Sequence, residues 1–188
     1  MEEKAIWEGI RKGDKSALKK IYDQFFSALY TYGLKITQSS ADTEDAIHEL
    51  FLDIWKYREG LSDTTSIRFY LYRSLRRKLY KSHTLSEKIL RPDVLLDEVQ
   101  EHSVETKLVE EEEKRQLSAR LQEQLDTLSE RQKETLLMRF YGELSYKEIA
   151  EIMEINEQSA RNLVTRGLEY LRKTMKTWFL LMIFYLAN

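Results

Sequence analysis

The chain has no cysteine. Disulfides, thiolate metal sites and a cysteine nucleophile are therefore excluded. It has one proline, Pro92, and six glycines in 188 residues. So few turn-formers cannot punctuate the many short strands of a sandwich or barrel, and an all-α fold is expected instead. An apolar leader is also missing. The opening residues, MEEKAIWEGIRKGDK, are charged throughout, which reads as a cytoplasmic protein without a secretory signal. There is no glycine-rich phosphate loop, and no Ser, His and Asp arrangement stands out. His48, His83 and His102 fall in different segments, and no second histidine follows the His48–Glu49 pair at helical spacing, so there is no zinc-protease pattern. The expectation is no metal, no cofactor and no enzymatic activity.

What is present is charge, unevenly spread. The formal net charge is only −2, which by itself argues against a nucleic-acid partner. Yet from Ser66 to His83 six bases (Arg68, Arg73, Arg76, Arg77, Lys78 and Lys81) occur without one acid. From Asp93 to Glu113 nine acids face one lysine. A basic segment and an acidic connector in one chain suggest two modules with different tasks.

The apolar pattern is helical. A short helix is expected over residues 2–12, with Ala5, Ile6 and Ile10 on one side. Asp14 can cap a second, in which Leu18, Ile21, Tyr22, Phe25, Phe26, Leu29 and Tyr30 recur in steps of three and four. A third follows Ser40, with Ile47, Leu50, Phe51 and Ile54 on one face, until Gly60 breaks the pattern. After the polar stretch GLSDTTS a fourth begins near Ile67. There Leu71, Leu75 and Leu79 share a face, and Arg73, Arg77 and Lys81 lie nearly opposite at about 100° per residue. These helices make a first domain, 1–83. Residues 84–113 read as an acidic linker. A second domain, 114–176, opens with Leu117, Leu121, Leu125 and Leu128, continues with Leu136, Leu137 and Phe140, and has Gly142 to end that helix. Ser129 with Gln132 and Ser145 with Glu148 fit capping boxes, and Asn156 can cap the last long helix.

The most specific signal is SYKEIAEIMEINEQSARNLVTRGL, residues 145–168. A helix-turn-helix needs a small residue where its second helix crosses its first, and Ala150 supplies it. Ile149, Ile152, Met153 and Ile155 face inward, and Ala160, Leu163 and Leu168 seat the second helix. Its outer face then offers Gln158, Ser159, Arg161, Asn162, Thr165 and Arg166 to base edges and phosphates. Glu154 stands where the turn often has glycine, because the backbone there favours positive φ. A non-glycine residue costs on the order of 1 kcal/mol in that conformation.

The stretch LDTLSERQKETLLMRFYGELSYKEIAEIMEINEQSARNLVTRGLEYLRK resembles the C-terminal, −35-reading domain of sigma-seventy family sigma factors. The resemblance implies that Gln158, Ser159, Arg161, Asn162, Thr165 and Arg166 read the −35 element. Arg161 and Ala160 replace the family's common Lys and Val. Residues 42–55, DTEDAIHELFLDIW, resemble the helix that docks on core RNA polymerase. Asp42, Asp45 and Glu49 would meet basic groups there, with Phe51 and Trp55 mainly packing. The fourth helix resembles the segment that opens and reads the −10 element. Arg73, Arg76, Arg77 and Lys81 would neutralise phosphates, and Phe69, Tyr70 and Tyr80 can offer stacking platforms, whereas Tyr72 reads as core. The loop of Leu61, Ser62, Asp63, Thr64 and Thr65 occupies the place of base capture. Arg77 and Lys81 stand where Asn and Asp are common, so the base preference at −10 does not carry over. The two-domain length points to the extracytoplasmic-function subgroup. The resemblance implies core RNA polymerase and promoter DNA as partners, a linker that runs through the polymerase, and in many relatives an anti-sigma factor. The alternatives are a stand-alone helix-turn-helix regulator, binding as a dimer, and a membrane-attached adaptor.

The end of the chain, WFLLMIFYLA at 178–187, is apolar all round. As a helix it reaches ~15 Å, about half a bilayer core, so it cannot span a membrane. The tail, 177–188, is expected to pack on the chain's own domains or linker, the alternatives being a partner or a membrane surface.

Overall fold

Seven bounded α-helices and one 3-10 turn carry the described residues, with no strand among them. The structure, a computed structural model, describes residues 2–64, 66–86 and 124–174, and the side chains of all of these except 2 and 81–86. The expected linker core, the start of the second domain's first helix, the apolar tail, Thr65 and the side chain of Lys81 lie outside what is described.

The helices are α1 (Glu2–Arg11), α2 (Lys15–Thr37), α3 (Ser40–Lys56), α4 (Ile67–Ser86), α5 (Glu130–Phe140), α6 (Tyr146–Ile152) and α7 (Glu157–Thr174). The 3-10 turn, Arg58–Gly60, separates α3 from the loop that leads into α4. The starts follow cap chemistry. Asp14 accepts from the amides of Ser16 and Ala17 at the head of α2. Ser39, one residue before the serine expected, accepts from Asp42 N and starts α3. Both expected capping boxes form reciprocally, Ser129 with Gln132 and Ser145 with Glu148. Each satisfies two amides that a bare helix start leaves without a partner. Asn156 Oδ1 accepts from Ser159 N at 2.7 Å and opens α7.

Helices α1–α4 close around Trp7, Ile21, Phe25, Leu29, Ile47, Leu50, Ile54, Leu71, Tyr72 and Leu75, all buried. The apolar cluster does not stop at the first four helices. It continues through Leu137 and Met138 of α5 and Ile149 and Ile152 of α6 to Ala160 of α7. A smaller cluster of Leu128, Leu136 and Val164 lies beneath α7. The two helical groups therefore share a core across the faces of α2 and α4.

Several side chains turn differently from expectation. In α1 the buried residues are Trp7 and Ile10, while Ala5 is exposed. In α5, Met138 is buried and Phe140 is exposed. In α7 the inward stripe is Ala160, Val164 and Gly167, with Leu171 partly buried, and Leu168 is exposed. Leu168 lies one helical step, about 100°, beyond Gly167. That glycine lets the helix close on α5: a Cβ there would stand 2.9 Å from Leu136 Cδ1. Gly142 has a different role from the helix terminator expected. The left-handed residue after α5 is Glu143, φ 48°, and not Gly142. Gly142 is small because a Cβ would meet the Met138 carbonyl at 2.6 Å and the Tyr72 ring at 2.9 Å.

Candidate nucleic-acid interface

The helix-turn-helix forms as its residues dictate. Glu154 takes positive φ, 54°, in the turn, and Ile155 N donates to Ala150 O at 2.9 Å. Ala150 and Ala160 are buried at the crossing. With Ala160, Val164 and Gly167 inward, Gln158, Arg161, Asn162, Thr165 and Arg166 all face outward, and Ser159 is half-buried. Two of them are braced before any ligand arrives. Gln158 Nε2 donates to Asn162 Oδ1 at 3.0 Å. Arg161 pairs with Glu157 at 2.6 Å and stacks 4.5 Å from the Tyr146 ring centroid. This face displays amides, a hydroxyl and guanidinium groups, the donors and acceptors that read major-groove edges.

The basic side of α4 divides in two. Arg77 is exposed. Arg73 is exposed too, with a long 3.4 Å contact to Glu151 of α6. Arg76 instead turns toward α5. Its Nε donates to Glu134 Oε1 at 2.9 Å, and its Nη1 donates to the Ile152 carbonyl at 3.3 Å. Glu134 is only 1% exposed and also accepts from Tyr32 at 2.8 Å and Tyr80 at 3.2 Å. Burial opposes the charge on Arg76, but the Glu134 carboxylate outweighs it and raises the guanidinium pKa. Burial, reinforced by Glu134, pushes Tyr80 up to about 12 and Tyr32 well above its ordinary value. Tyr80 thus belongs to the contact between the two helical groups. Tyr70 is half-buried edge-on against Trp7, centroids 4.9 Å apart, and Tyr72 is core as expected.

Among its described residues, the loop before α4 has one buried, two exposed and one half-buried member. Leu61 is 8% exposed and forms the floor, while Ser62 and Asp63 are exposed and Thr64 is half-buried. Thr64 Oγ1 donates to Ser66 O at 2.9 Å and folds the loop back on itself. On the neighbouring helix α3, Asp42, Asp45 and Glu49 are exposed together. Glu49 and Asp53 hold Lys78 of α4 at 3.4 and 2.6 Å, which leaves that lysine little charge to offer elsewhere. Burial lowers the Lys78 pKa, and the two carboxylates more than reverse it. Leu52, 66% exposed, sits on this acidic face.

Sequence reasoning missed Glu134 and Tyr32, because a buried carboxylate in an amphipathic helix looks like any solvated one. It missed Trp7, Glu3 and Arg11 beside the loop, because they lie some 50 residues away in the chain. It missed Leu52, a lone leucine among acids. Among the described residues no cluster of three potential metal ligands occurs, and no helix is long and apolar enough to cross a membrane.

Comparison with known proteins matches residues 21–85 to the family model "Sigma-70 region 2" and residues 118–171 to "Sigma-70, region 4". SigK, an ECF RNA polymerase sigma factor of Mycolicibacterium vanbaalenii, is 19% identical over 177 residues, covering 91% of this chain and 88% of that one. SigL, an ECF RNA polymerase sigma factor of Mycobacterium tuberculosis, is 29% identical over 56 residues, 30% of this chain and 32% of that one. Among solved structures, CnrH in complex with the cytosolic domain of CnrY superposes with a TM-score of 0.67 at 14% identity, over 94% of this chain and 98% of that one. The sigma factor RpoE of Bartonella quintana, in complex with the anti-sigma factor NepR, superposes with a TM-score of 0.62 at 16% identity, over 84% and 96% of the two chains.

Proposed function

This chain belongs to the sigma-70 family, with the region 2 and region 4 organisation of its extracytoplasmic-function members, and we propose how its surfaces divide the work of a sigma factor. It directs core RNA polymerase to promoters. Residues 1–83 form the domain that docks on the polymerase and engages the −10 element. Residues 84–113 are the acidic connector, 114–176 the −35-reading domain and 177–188 an apolar tail. The observation that carries the assignment is the outer face of α7, where Gln158, Arg161, Asn162, Thr165 and Arg166 are exposed together over a buried Ala160, Val164 and Gly167 stripe. Ser159 completes that set at its edge.

Asp42, Asp45 and Glu49 present one negative face on α3, suited to basic groups on the polymerase. Ser62, Asp63 and Thr64 over the Leu61 floor, with Thr65 next in the chain, form the base-capture loop. Arg73, Arg76, Arg77 and Lys81 follow it along α4 to meet phosphates. Arg76 is held by Glu134 in the structure, so engaging DNA through it requires the two helical groups to part. The chain works in the cytoplasm and needs no cofactor. It supplies no catalytic group of its own, the polymerisation chemistry being the partner's. The sigma factor RpoE, a neighbour in fold, occurs in complex with the anti-sigma factor NepR, and an anti-sigma partner suits this chain too.

The test is binding of the purified chain to bacterial core RNA polymerase, wild type against Asp45→Arg and Glu49→Arg. Wild type binds, and the reversals weaken binding at least tenfold while circular dichroism stays unchanged. Unchanged binding by both reversals would remove α3 as the docking helix. Sequence-specific duplex binding without polymerase would favour the stand-alone regulator.

A further inference from the structure

We infer that α1 is a positioning element for promoter reading: Trp7, Glu3 and Arg11 clamp the loop between α3 and α4 and hold it in its base-accepting shape. The inference rests on the assignment of that loop to −10 base capture. Helix α1 lies outside the stretch that matches the family model, which begins at residue 21.

The three contacts are spread along the loop. Trp7 is 2% exposed, and its indole Nε1 donates to the Ser62 carbonyl at 3.0 Å. The ring is fixed from the other side by Tyr70, edge-on at 4.9 Å. Arg11 pairs with Asp63 in the middle of the loop. Glu3 Oε2 accepts from Ile67 N at 3.3 Å, at the first turn of α4, where backbone amides lack helical partners. One short helix thus holds the start, the crest and the exit of the loop, while Leu61 packs into the core and Ser66 bonds Glu148 of α6. Thr64 Oγ1 donates to Ser66 O and accepts from Ser66 N, and Ser66 Oγ accepts from Phe69 N at 3.1 Å.

A pocket for an extruded base discriminates by where its polar groups stand, and a loop free to shift accommodates the wrong base more easily. Trp7 is the strongest of the three clamps. It is a buried donor on a backbone carbonyl, so its loss moves the main chain of the loop and not just one side chain. Asp63 is largely solvated and Arg11 half-buried, and their pairing contributes less than the buried Trp7 bond.

The experiment uses the full chain in reconstituted holoenzyme. The preferred promoter is first selected from a library randomised around −10. Open-complex formation is then measured for each base at the captured position, beside core polymerase affinity. Trp7→Phe keeps the ring and removes the donor. It is expected to flatten the preference for the best base about fivefold, the weight of one neutral hydrogen bond, with core affinity changed less than twofold. Arg11→Met, a surface change that does not threaten folding, is expected to flatten it about twofold by the same loosening. Asp63→Ala and Thr64→Ala alter the loop directly. If these two flatten the preference while Trp7→Phe and Arg11→Met leave it intact, the clamp is refuted and the loop assignment stands. If neither loop variant changes it, the loop assignment itself fails and takes the clamp with it.

Discussion

Glu134 is the residue on which most depends. It is buried and receives donors from α2 and α4, so its carboxylate joins the two halves of the molecule. Glu134→Gln keeps an acceptor for Tyr32 but removes the charge that compensates Arg76. We expect a loss of roughly 2 kcal/mol, the range for hydrogen bonds to charged groups, read as a lower urea midpoint at unchanged slope. Gly142 is the second such residue. A methyl group there would be pressed to 2.6 Å from a backbone carbonyl and 2.9 Å from a buried tyrosine ring. Neither neighbour is a flexible side-chain end. Gly142→Ala should therefore destabilise by about 1–3 kcal/mol, as overpacking does. Gly60→Ala, with nothing within 4 Å, is the control and should stay within about 0.5 kcal/mol, as most surface changes do. Equal effects at the two glycines would show that Gly142 is not confined.

At the scale of the element, the two capping boxes make a natural comparison. Both pair a serine with the residue three positions on, but one uses Gln132 and the other Glu148. Only the second can titrate. Burial raises the Glu148 pKa. Hydrogen bonds from Ser145 and Ser66, with the charge of Arg68, more than reverse this and hold it below its ordinary 4.5. A lowered carboxylate stabilises the fold above its unfolded value and loses that contribution as the pH falls through the folded one. Unfolding followed between pH 6 and pH 3 should show a component that Glu148→Gln abolishes, while Gln132→Glu should introduce a similar one. Ser145→Ala should cost about 1 kcal/mol at pH 7. Much of this level was legible in the sequence: the boxes, the Asn156 cap and the positive φ at Glu154 all follow from local chemistry. The helix faces were less legible. Trp7 for Ala5, Met138 for Phe140 and Gly167 for Leu168 are choices among neighbours one or two residues apart, and the partner across the interface made them.

At the scale of the molecule, the second helical group sits on part of the surface assigned to DNA. Arg76 bonds Glu134, Arg73 reaches Glu151, and Arg68 pairs with Glu143. Phosphates must compete with these carboxylates. Glu134→Gln should therefore bind a −10 single-stranded oligonucleotide about threefold more tightly than wild type at one fixed salt concentration, since affinities of this kind depend steeply on salt. Fluorescence anisotropy measures it. Affinity no higher than wild type would mean that Arg76 does not reach the strand. Arg77, exposed and outside the contact, should lose affinity on Arg77→Ala in both backgrounds alike.

The sequence by itself determined the all-helical class, the two-group organisation, the helix-turn-helix and the exposed polar face of α7. These depend on periodicity, caps and one small residue at a crossing, all of which act over a few positions. Tertiary structure decided which charges are free. Six bases without an intervening acid read as one basic segment, yet Lys78 is held by α3 and Arg76 by α5, leaving Arg73 and Arg77 outermost among those described. It also decided that α1 touches the loop before α4. Contacts between residues 50 or more apart leave no trace in local pattern, because they depend on how packed faces meet and not on what each face contains.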